Sequence, residues 1–157
     1  MMRAWRGVDR ASAEREECMQ LDLSTEFGAR VARRLEGEHV AWLTTVRADG
    51  QPQPSPVWFL WDGDSIVIYS RPNQPKLRNI ASNPKVALSF NSDADGGDVV
   101  VISAAAQHDQ AAPRLDQVPA YLAKYTSAIA ALDMTVPGFA EAYSAAIRLT
   151  PLSVRGF

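Results

Sequence analysis

Residues with reactive side chains are scarce in this chain. It has one cysteine and two histidines among 157 residues. A single cysteine, Cys18, excludes an internal disulfide bond. His39 and His108 lie far apart, and neither has ligand spacing to Cys18 or to paired acidic residues. The sequence therefore predicts no metal site and no Ser-His-Asp or Cys-His catalytic arrangement.

Long apolar runs and an excess of charge are also lacking. No run approaches the roughly 20 apolar residues that a membrane-spanning helix needs, and residues 1–17 have no apolar block of the kind found in a signal peptide. The formal net charge of −2 disfavours a general nucleic-acid binder, because such proteins carry basic surfaces. We therefore expect a cytoplasmic protein that binds neither nucleic acid nor membrane.

The length and composition indicate one domain, since 46% hydrophobic residues are enough to fill a core of this size. Residues 1–20 carry many charges and few groups that could pack, so we predict a flexible extension followed by a domain over residues 21–157. Ser24 is a good N-cap for a helix that extends to about Leu35 and stops at Gly37.

Segments rich in β-branched and aromatic residues alternate with turn signals along the middle of the chain. They predict about six strands in hairpin-like order, at 39–46, 54–61, 65–70, 85–91, 98–107 and 147–149. Helical periodicity predicts a helix over 117–134, with Tyr121 and Tyr125 in its packed stripe, and a short helix over 137–142. We expect a mainly β protein with flanking helices, closed as an antiparallel barrel.

The second predicted strand is apolar on both faces, because Val57–Trp61 shows no polar alternation. A strand of this kind is buried on both sides. In so short a chain a second copy is the expected outer cover, so the sequence predicts a homodimer.

The stretch 69–90 carries the strongest functional signal. A strand that ends at Ser70 leads through a proline-containing loop to a short helix that begins near Lys76 and stops at Asn83-Pro84. A helix N-terminus offers unpaired N–H groups and partial positive charge, which suit an anion. We predict that Lys76, Arg71 and Ser70 hold a phosphate group there.

Each candidate also has a purely structural interpretation. Lys76 alone is typical of a solvated surface helix, and Ser70 and Arg71 of a strand end. Asn79 shares a helical face with Lys76 and would only brace the loop, while Leu77, Ile80 and Ala81 would face a core. Aromatic residues in strands are more often part of a core than of a ligand site. The strand aromatics that could stack on a ring are Trp42, Trp58, Phe59 and Trp61.

The order of these segments and several motifs resemble the split-barrel flavin-binding family typified by pyridoxamine 5'-phosphate oxidase. The matching stretches are HVAWLTTVRADGQP at 39–52, YS followed by KLRNIASNPKVALSF within 69–90, and RLTPLSVRGF at 148–157. Within this family the chain is most similar to the actinobacterial branch that uses the deazaflavin coenzyme F-420. The resemblance implies an antiparallel split β-barrel and a homodimer with the cofactor site at its interface.

The resemblance implies a cofactor site with two parts. Lys76, Arg71 and Ser70 would hold the phosphate, as the residues alone also suggested. Amides of Ser55 and Val57 would bond the edge of the ring, although the prolines beside them also fit an edge strand protected from mispairing. Trp58 would lie beside the ring. The dimer partner and the C-terminal Arg155-Gly156-Phe157 would wall the site.

The implied activity is an oxidoreductase that transfers hydride from reduced F-420 to a small organic acceptor, with no proton donor identified and solvent as the default source. FMN-using relatives carry Arg and Lys on the second strand, whereas residues 55–60 here hold no cation. Two missing charge-assisted bonds, at about 1.5–3 kcal/mol each, disfavour FMN. An FMN-dependent oxidase or reductase, or a non-catalytic carrier of a flavin, deazaflavin or haem-like tetrapyrrole, stays open as an alternative.

Overall fold

The computed structural model describes residues 20–157. Cys18 and almost all of the predicted N-terminal extension lie outside these residues. No helix in this part of the chain is long and apolar enough to cross a bilayer.

Within residues 20–157, seven strands form one sheet in the order β2-β1-β5-β6-β7-β4-β3, and every neighbouring pair is antiparallel. The strands are β1 (Val40–Val46), β2 (Pro52–Trp58), β3 (Leu60–Trp61), β4 (Ile66–Ser70), β5 (Lys85–Ser89), β6 (Val100–His108) and β7 (Ala145–Gly156). The helices are α1 (Glu26–Gly37), α2 (Pro75–Ser82), α3 (Pro119–Ala131) and α4 (Val136–Ala142), with a 3-10 turn at Leu115–Gln117.

The sheet curls until β2, at one end of the strand order, lies beside β4 near the other end. No ladder joins β2 to β4, so the barrel is split along this line. Alternate residues of each strand point inward and form the main core, to which α1 and α2 add apolar side chains. The core includes Val31, Leu35, Leu43, Ile66, Ile68, Ile80, Leu88, Ile102, Ile147 and Leu149. The predicted antiparallel split barrel is confirmed.

The segment 109–144 covers the outer face of β4 and β7. Its helices form a second apolar cluster with Val67 and Tyr69 of β4, which explains why all five residues of β4 are buried. Tyr121 and Tyr125 pack inside this cluster, which confirms their predicted place in the helix stripe. The members from the helical segment include Leu115, Tyr121, Tyr125, Ile129 and Phe139.

The same helices cover the outer side of the second predicted strand. Trp58 and Leu60 pack against the helical cluster, while Phe59 lies in the barrel core. The two-sided burial inferred from Val57–Trp61 is therefore real, but its outer cover comes from α3 and α4 of the same chain. A second copy is not needed to explain it.

The predicted second strand is interrupted at Phe59 by a side chain from α3. The Phe59 N–H donates to the Tyr125 hydroxyl oxygen at 2.9 Å. The hydroxyl in turn lies 2.7 Å from the His39 carbonyl and 2.8 Å from the Phe59 carbonyl, either of which accepts its proton. The Tyr125 hydroxyl thus takes the place of a strand partner for the Phe59 backbone. For this reason the run predicted as one strand is divided into β2 and β3.

Two other boundaries differ from expectation. Thr25, and not Ser24, caps α1, because its hydroxyl accepts the Gly28 N–H at 3.0 Å, and Gly37 is the last helical residue. The last strand is far longer than 147–149. The sequence did not predict the C-terminal half of β7, because Pro151 cannot donate to a strand ladder. In the structure a shift of register at Leu152 accommodates Pro151 opposite Ala104.

Candidate functional site

A cavity of about 280 Å³ lies at the split of the barrel. The end of β2, the end of β4, the loop before α2 and the helices α3 and α4 surround it. The lining residues are Pro56, Val57, Trp58, Tyr69, Ser70, Arg71, Gln74, Lys76, Tyr121, Leu132, Phe139 and Tyr143. Five of the seven predicted site residues are among them, and Ser55 and Asn79 are not.

Among residues 20–157, the lining of this cavity includes two cations and no carboxylate. Lys76 is half-buried and makes no hydrogen bond or ion pair with residues 20–157. Arg71 is exposed, and its guanidinium carbon lies 5.2 Å from the centre of the Tyr143 ring. No carboxylate within residues 20–157 neutralises either charge, so the electrostatics of the cavity favour an anion.

Burial lowers the pKa of the Lys76 ammonium group, because the charged form loses solvation. An anion beside this ammonium would favour its charged form and raise the pKa again. Binding of an anion is therefore linked to uptake of a proton, and its affinity falls as the pH rises through the pKa of the unliganded protein.

The loop before α2 supplies weaker polar groups. Ser70 is buried, and its hydroxyl donates to the Arg71 carbonyl at 3.0 Å. In this orientation the hydroxyl can only accept a hydrogen bond from a ligand, and it would have to rotate to donate one. Helix α2 begins at Pro75 without a side-chain cap, and Gln74 lines the cavity. The strand–loop–helix arrangement predicted from the sequence is confirmed.

The pairing of β2 with β1 decides where the amides of Ser55 and Val57 point. Pro52, Pro54 and Pro56 have no N–H, so they must occupy the positions whose backbone groups face away from β1. The alternate residues, Ser55 and Val57, then donate to β1. These amides are not available to a ring edge, which is a correction of the predicted contact.

The same register gives the cavity a different backbone donor. Trp58 lies two residues after Pro56, so its backbone faces the same way and its N–H points to the unpaired edge of β2. Trp58 also lines the cavity. The indole ring stacks on Tyr125 with centroids 4.7 Å apart and on Phe139 at 5.3 Å. Two protein rings thus already stack on Trp58, and we expect a ligand to meet its edge and its amide.

Asn79 has a structural place beside the site. It is buried, and its amide nitrogen donates to the Thr45 hydroxyl at 2.9 Å and to the Gln53 side-chain oxygen at 3.0 Å. These bonds attach α2 to the β1–β2 hairpin. The predicted inner face of this helix was partly wrong, because Ala81 is exposed and Asn79 takes a buried position.

Sequence reasoning missed the wall formed by the helical segment. Tyr121, Leu132, Phe139 and Tyr143 line the cavity although they are 50 or more residues from Arg71 in sequence. No local pattern could reveal this, because it depends on how α3 and α4 fold back over β4. The C-terminal residues lie elsewhere. Ser70 pairs with Ala145 at the start of β7, whereas Gly156 pairs with Val100 at its other end.

No group of three or more His, Cys, Asp or Glu side chains in residues 20–157 has the geometry of a metal site. Neither histidine lines the cavity. Trp42 and Trp61 are also absent from its lining. Trp42 donates from its indole nitrogen to Asn91 at 3.0 Å, and Trp61 packs on the barrel core.

A split antiparallel barrel with a cationic, aromatic-walled cavity at the split defines a class of proteins that bind flavin-type cofactors. The family model described as pyridoxamine 5'-phosphate oxidase matches residues 27–156. Because this match spans most of the chain, the protein belongs to that family.

Solved structures with the same fold differ in what their names state. An F-420 reductase is 26% identical, with a TM-score of 0.56 and coverage of 77% of this chain and 92% of the reductase. A FAD-binding protein from Mesorhizobium loti is 14% identical, with a TM-score of 0.59 and coverage of 80% and 88%. The heme storage protein from Vibrio cholerae is 15% identical, with a TM-score of 0.57 and coverage of 88% and 95%. The two matches of lower identity show the fold alone.

Proposed function

We propose that the protein is an oxidoreductase that uses reduced coenzyme F-420 to transfer hydride to a small organic acceptor. The observation that carries this proposal is the cavity at the barrel split, which has two cations, Lys76 and Arg71, and no carboxylate among its lining residues within 20–157. The similarity to an F-420 reductase supports the choice of cofactor.

The residues of the cavity fit the acidic part of a deazaflavin. Lys76 would make a charge-assisted bond to the phosphodiester from a half-buried position, and Arg71 would add a second from the exposed side. Ser70 would contribute its hydroxyl oxygen and Gln74 its amide. The Trp58 N–H, at the unpaired edge of β2, would donate to an acceptor atom on the ring.

The reduced deazaflavin, when bound, supplies the hydride, and the protein binds, orients and screens the reactants. Trp58 and the helical wall would exclude water from one side of the ring. Segment Pro52–Trp58 carries no Lys or Arg, so an FMN phosphate, which is a dianion, would lack the partners it needs.

Parallel fluorescence titrations with F-420 and FMN test the proposal. We expect F-420 to bind at least about tenfold more tightly than FMN, because the two missing charge contacts disfavour the dianion. A purified yellow protein that releases FMN on denaturation would instead indicate the FMN-dependent alternative. Single-turnover oxidation of bound, reduced F-420 by candidate acceptors then distinguishes an enzyme from a carrier, since a carrier would not accelerate it.

We also propose a homodimer whose cofactor site lies near the interface. No helix within residues 20–157 lines the groove on the outer face of β1, β5 and β6, and the exposed residues of β1 include Val40 at 37% and Trp42 at 39% exposure. This shallow groove of about 550 Å³ is lined partly by Val46, Pro52, Ala87, Ala105 and Leu152. Phe157 is 73% exposed and would reach a cavity only in a second copy.

Sedimentation velocity tests the dimer. We expect a dimer at micromolar concentration for the natural chain and a monomer for Ala105→Arg, which places a charge in the groove. Ala123→Arg, on the exposed side of α3, is the matched control and should remain dimeric. A natural chain that sediments as a monomer would remove the second copy from the site.

A further inference from the structure

Tyr121 is a buried phenol whose hydroxyl has no hydrogen-bond partner in the described part of the chain. The side chain is 1% exposed and packs against Tyr69, with centroids 5.1 Å apart, and against Tyr125 at 4.7 Å. No hydrogen bond joins its hydroxyl to another residue within 20–157. Some buried side-chain atoms in these residues are both unpaired and fully sealed from solvent, but the Tyr121 oxygen is not one of them. This oxygen therefore keeps some access to solvent. Tyr121 is one of the residues that line the cavity, and an unpaired hydroxyl that is not sealed from solvent fits an opening into that space.

The neighbouring tyrosines show how unusual this is. The Tyr69 hydroxyl donates to the Pro113 carbonyl at 2.8 Å. The Tyr125 hydroxyl is occupied by the Phe59 backbone and the His39 carbonyl. Buried hydroxyl groups almost always have partners, so a lone hydroxyl on a cavity wall points to a ligand that completes it.

The position of Tyr121 distinguishes it from the anion site. Arg71 is exposed and Lys76 half-buried, whereas Tyr121 is buried among the rings of Tyr69 and Tyr125. A phosphate moved onto this aromatic surface would lose its hydration and gain only one neutral donor, which is unfavourable. A flat, uncharged molecule with a polar oxygen would gain both ring contacts and a hydrogen bond.

We propose that the Tyr121 hydroxyl binds the electron-accepting oxygen of the substrate and thereby orients the acceptor in the cavity. The role in catalysis rests on the proposed function. When hydride from the reduced deazaflavin adds to a conjugated acceptor, the electron pair of the attacked π bond moves onto the acceptor oxygen. Tyr121 stabilises this charge by donating its hydrogen bond, and solvent supplies the proton that completes the reduction.

The protonation state of Tyr121 suits a donor. Burial raises the pKa of its hydroxyl far above the usual value for tyrosine, and the neighbouring Tyr125, Tyr69 and Tyr143 add to the effect. The phenol therefore stays protonated at neutral pH and donates a hydrogen bond without losing its proton.

The first test needs no cofactor. Binding of a 1,4-naphthoquinone to the full, cofactor-free chain is measured by quenching of tryptophan fluorescence. We expect Tyr121→Phe, which keeps the ring, to weaken this binding about five- to tenfold. Tyr125→Phe, on the same helix but outside the cavity, should lower the melting temperature and leave quinone affinity within about twofold. Equal quinone affinity in Tyr121→Phe and the natural chain would overturn the proposal.

The second test uses reduced F-420 as hydride donor to the same quinone. Tyr121→Phe should lower kcat/KM for the quinone about 10- to 100-fold while the Kd for F-420 stays within about twofold. A variant that instead loses affinity for F-420 or for inorganic phosphate would place Tyr121 in the anion site and contradict the proposal. If the natural chain binds no F-420, the proposed function fails, and the cofactor-free quinone test still decides the role of Tyr121.

Discussion

Four polar groups from different parts of the chain lie around one cavity. Lys76 and Arg71 are cations without carboxylate partners in the described part of the chain, the Tyr121 hydroxyl has no acceptor there, and the Trp58 amide lies at the unpaired edge of β2. Unpaired groups of this kind lower the stability of the folded state unless a ligand completes them. Their convergence on one cavity is therefore better explained by binding than by folding.

Lys124 is a second half-buried cation, but its contacts are structural. Its ammonium group donates to the Phe59 carbonyl at 3.2 Å and lies 4.0 Å from the centre of the Phe59 ring. Burial lowers the pKa of this lysine from 10.5 to about 8, and nearby Glu38 offsets only part of the effect. Lys124 thus adds contacts at the point where Tyr125 interrupts the second strand, and burial of its charge costs solvation.

The lowered pKa of Lys124 predicts a pH dependence of stability. Between about pH 8 and 10.5 the unfolded chain binds more protons at this site than the folded chain, so the free energy of unfolding rises with pH. Because Lys124 is partly exposed, we expect a gain of about 1–2 kcal/mol relative to Lys124→Met, which has no titrating group. Urea unfolding of both chains at pH 7.5 and 10 measures this, and a difference that does not change with pH would contradict it.

At the scale of elements, the orientation of α2 sets the position of Lys76. This helix has eight residues, so one side-chain anchor has a large effect on its direction. Asn79 supplies that anchor through its bonds to Thr45 and Gln53 of the β1–β2 hairpin. The site therefore depends on a residue that does not line the cavity.

Replacing this anchor should affect both stability and binding. Asn79→Ala removes one buried and one partly buried hydrogen bond, and we expect a loss of about 1–3 kcal/mol in the free energy of unfolding together with weaker binding of F-420. Ser82→Ala, at the exposed end of the same helix, is the control and should cost less than about 0.5 kcal/mol. Unchanged F-420 affinity in a destabilised Asn79→Ala chain would show that α2 does not position the anion site.

Sequence patterns predicted what local structure determines. Turn signals and β-rich runs located most strands, and the strand–loop–helix around Lys76 followed from Ser70, Pro75 and Pro84. The register of pairing between strands could not be predicted from local sequence patterns. The direction of the Ser55 and Val57 amides depends on the register with β1, and the break at Phe59 depends on Tyr125, 66 residues away. The same limit hid Tyr121, because α3 meets the cavity only in the folded chain.

At the scale of the whole molecule, one curled sheet and one helical segment make a single cavity. The loop after β4 and helix α2 supply the cations, the end of β2 supplies the unpaired strand edge, and segment 109–144 supplies most of the aromatic wall. A fold of this type is shared by proteins with different functions, so the arrangement of groups in the cavity, and not the barrel alone, supports an F-420-dependent enzyme.

The most direct test of the central claim, that Lys76 holds the acidic part of F-420, is a fluorescence titration of F-420 into Lys76→Met. This variant keeps the length of the side chain and removes its charge. We predict a Kd about 10- to 100-fold higher than that of the natural chain, recovery of most of the affinity in Lys76→Arg, and no change in Arg33→Ala, an exposed cation on α1. Equal F-420 affinity in Lys76→Met and the natural chain would contradict the account.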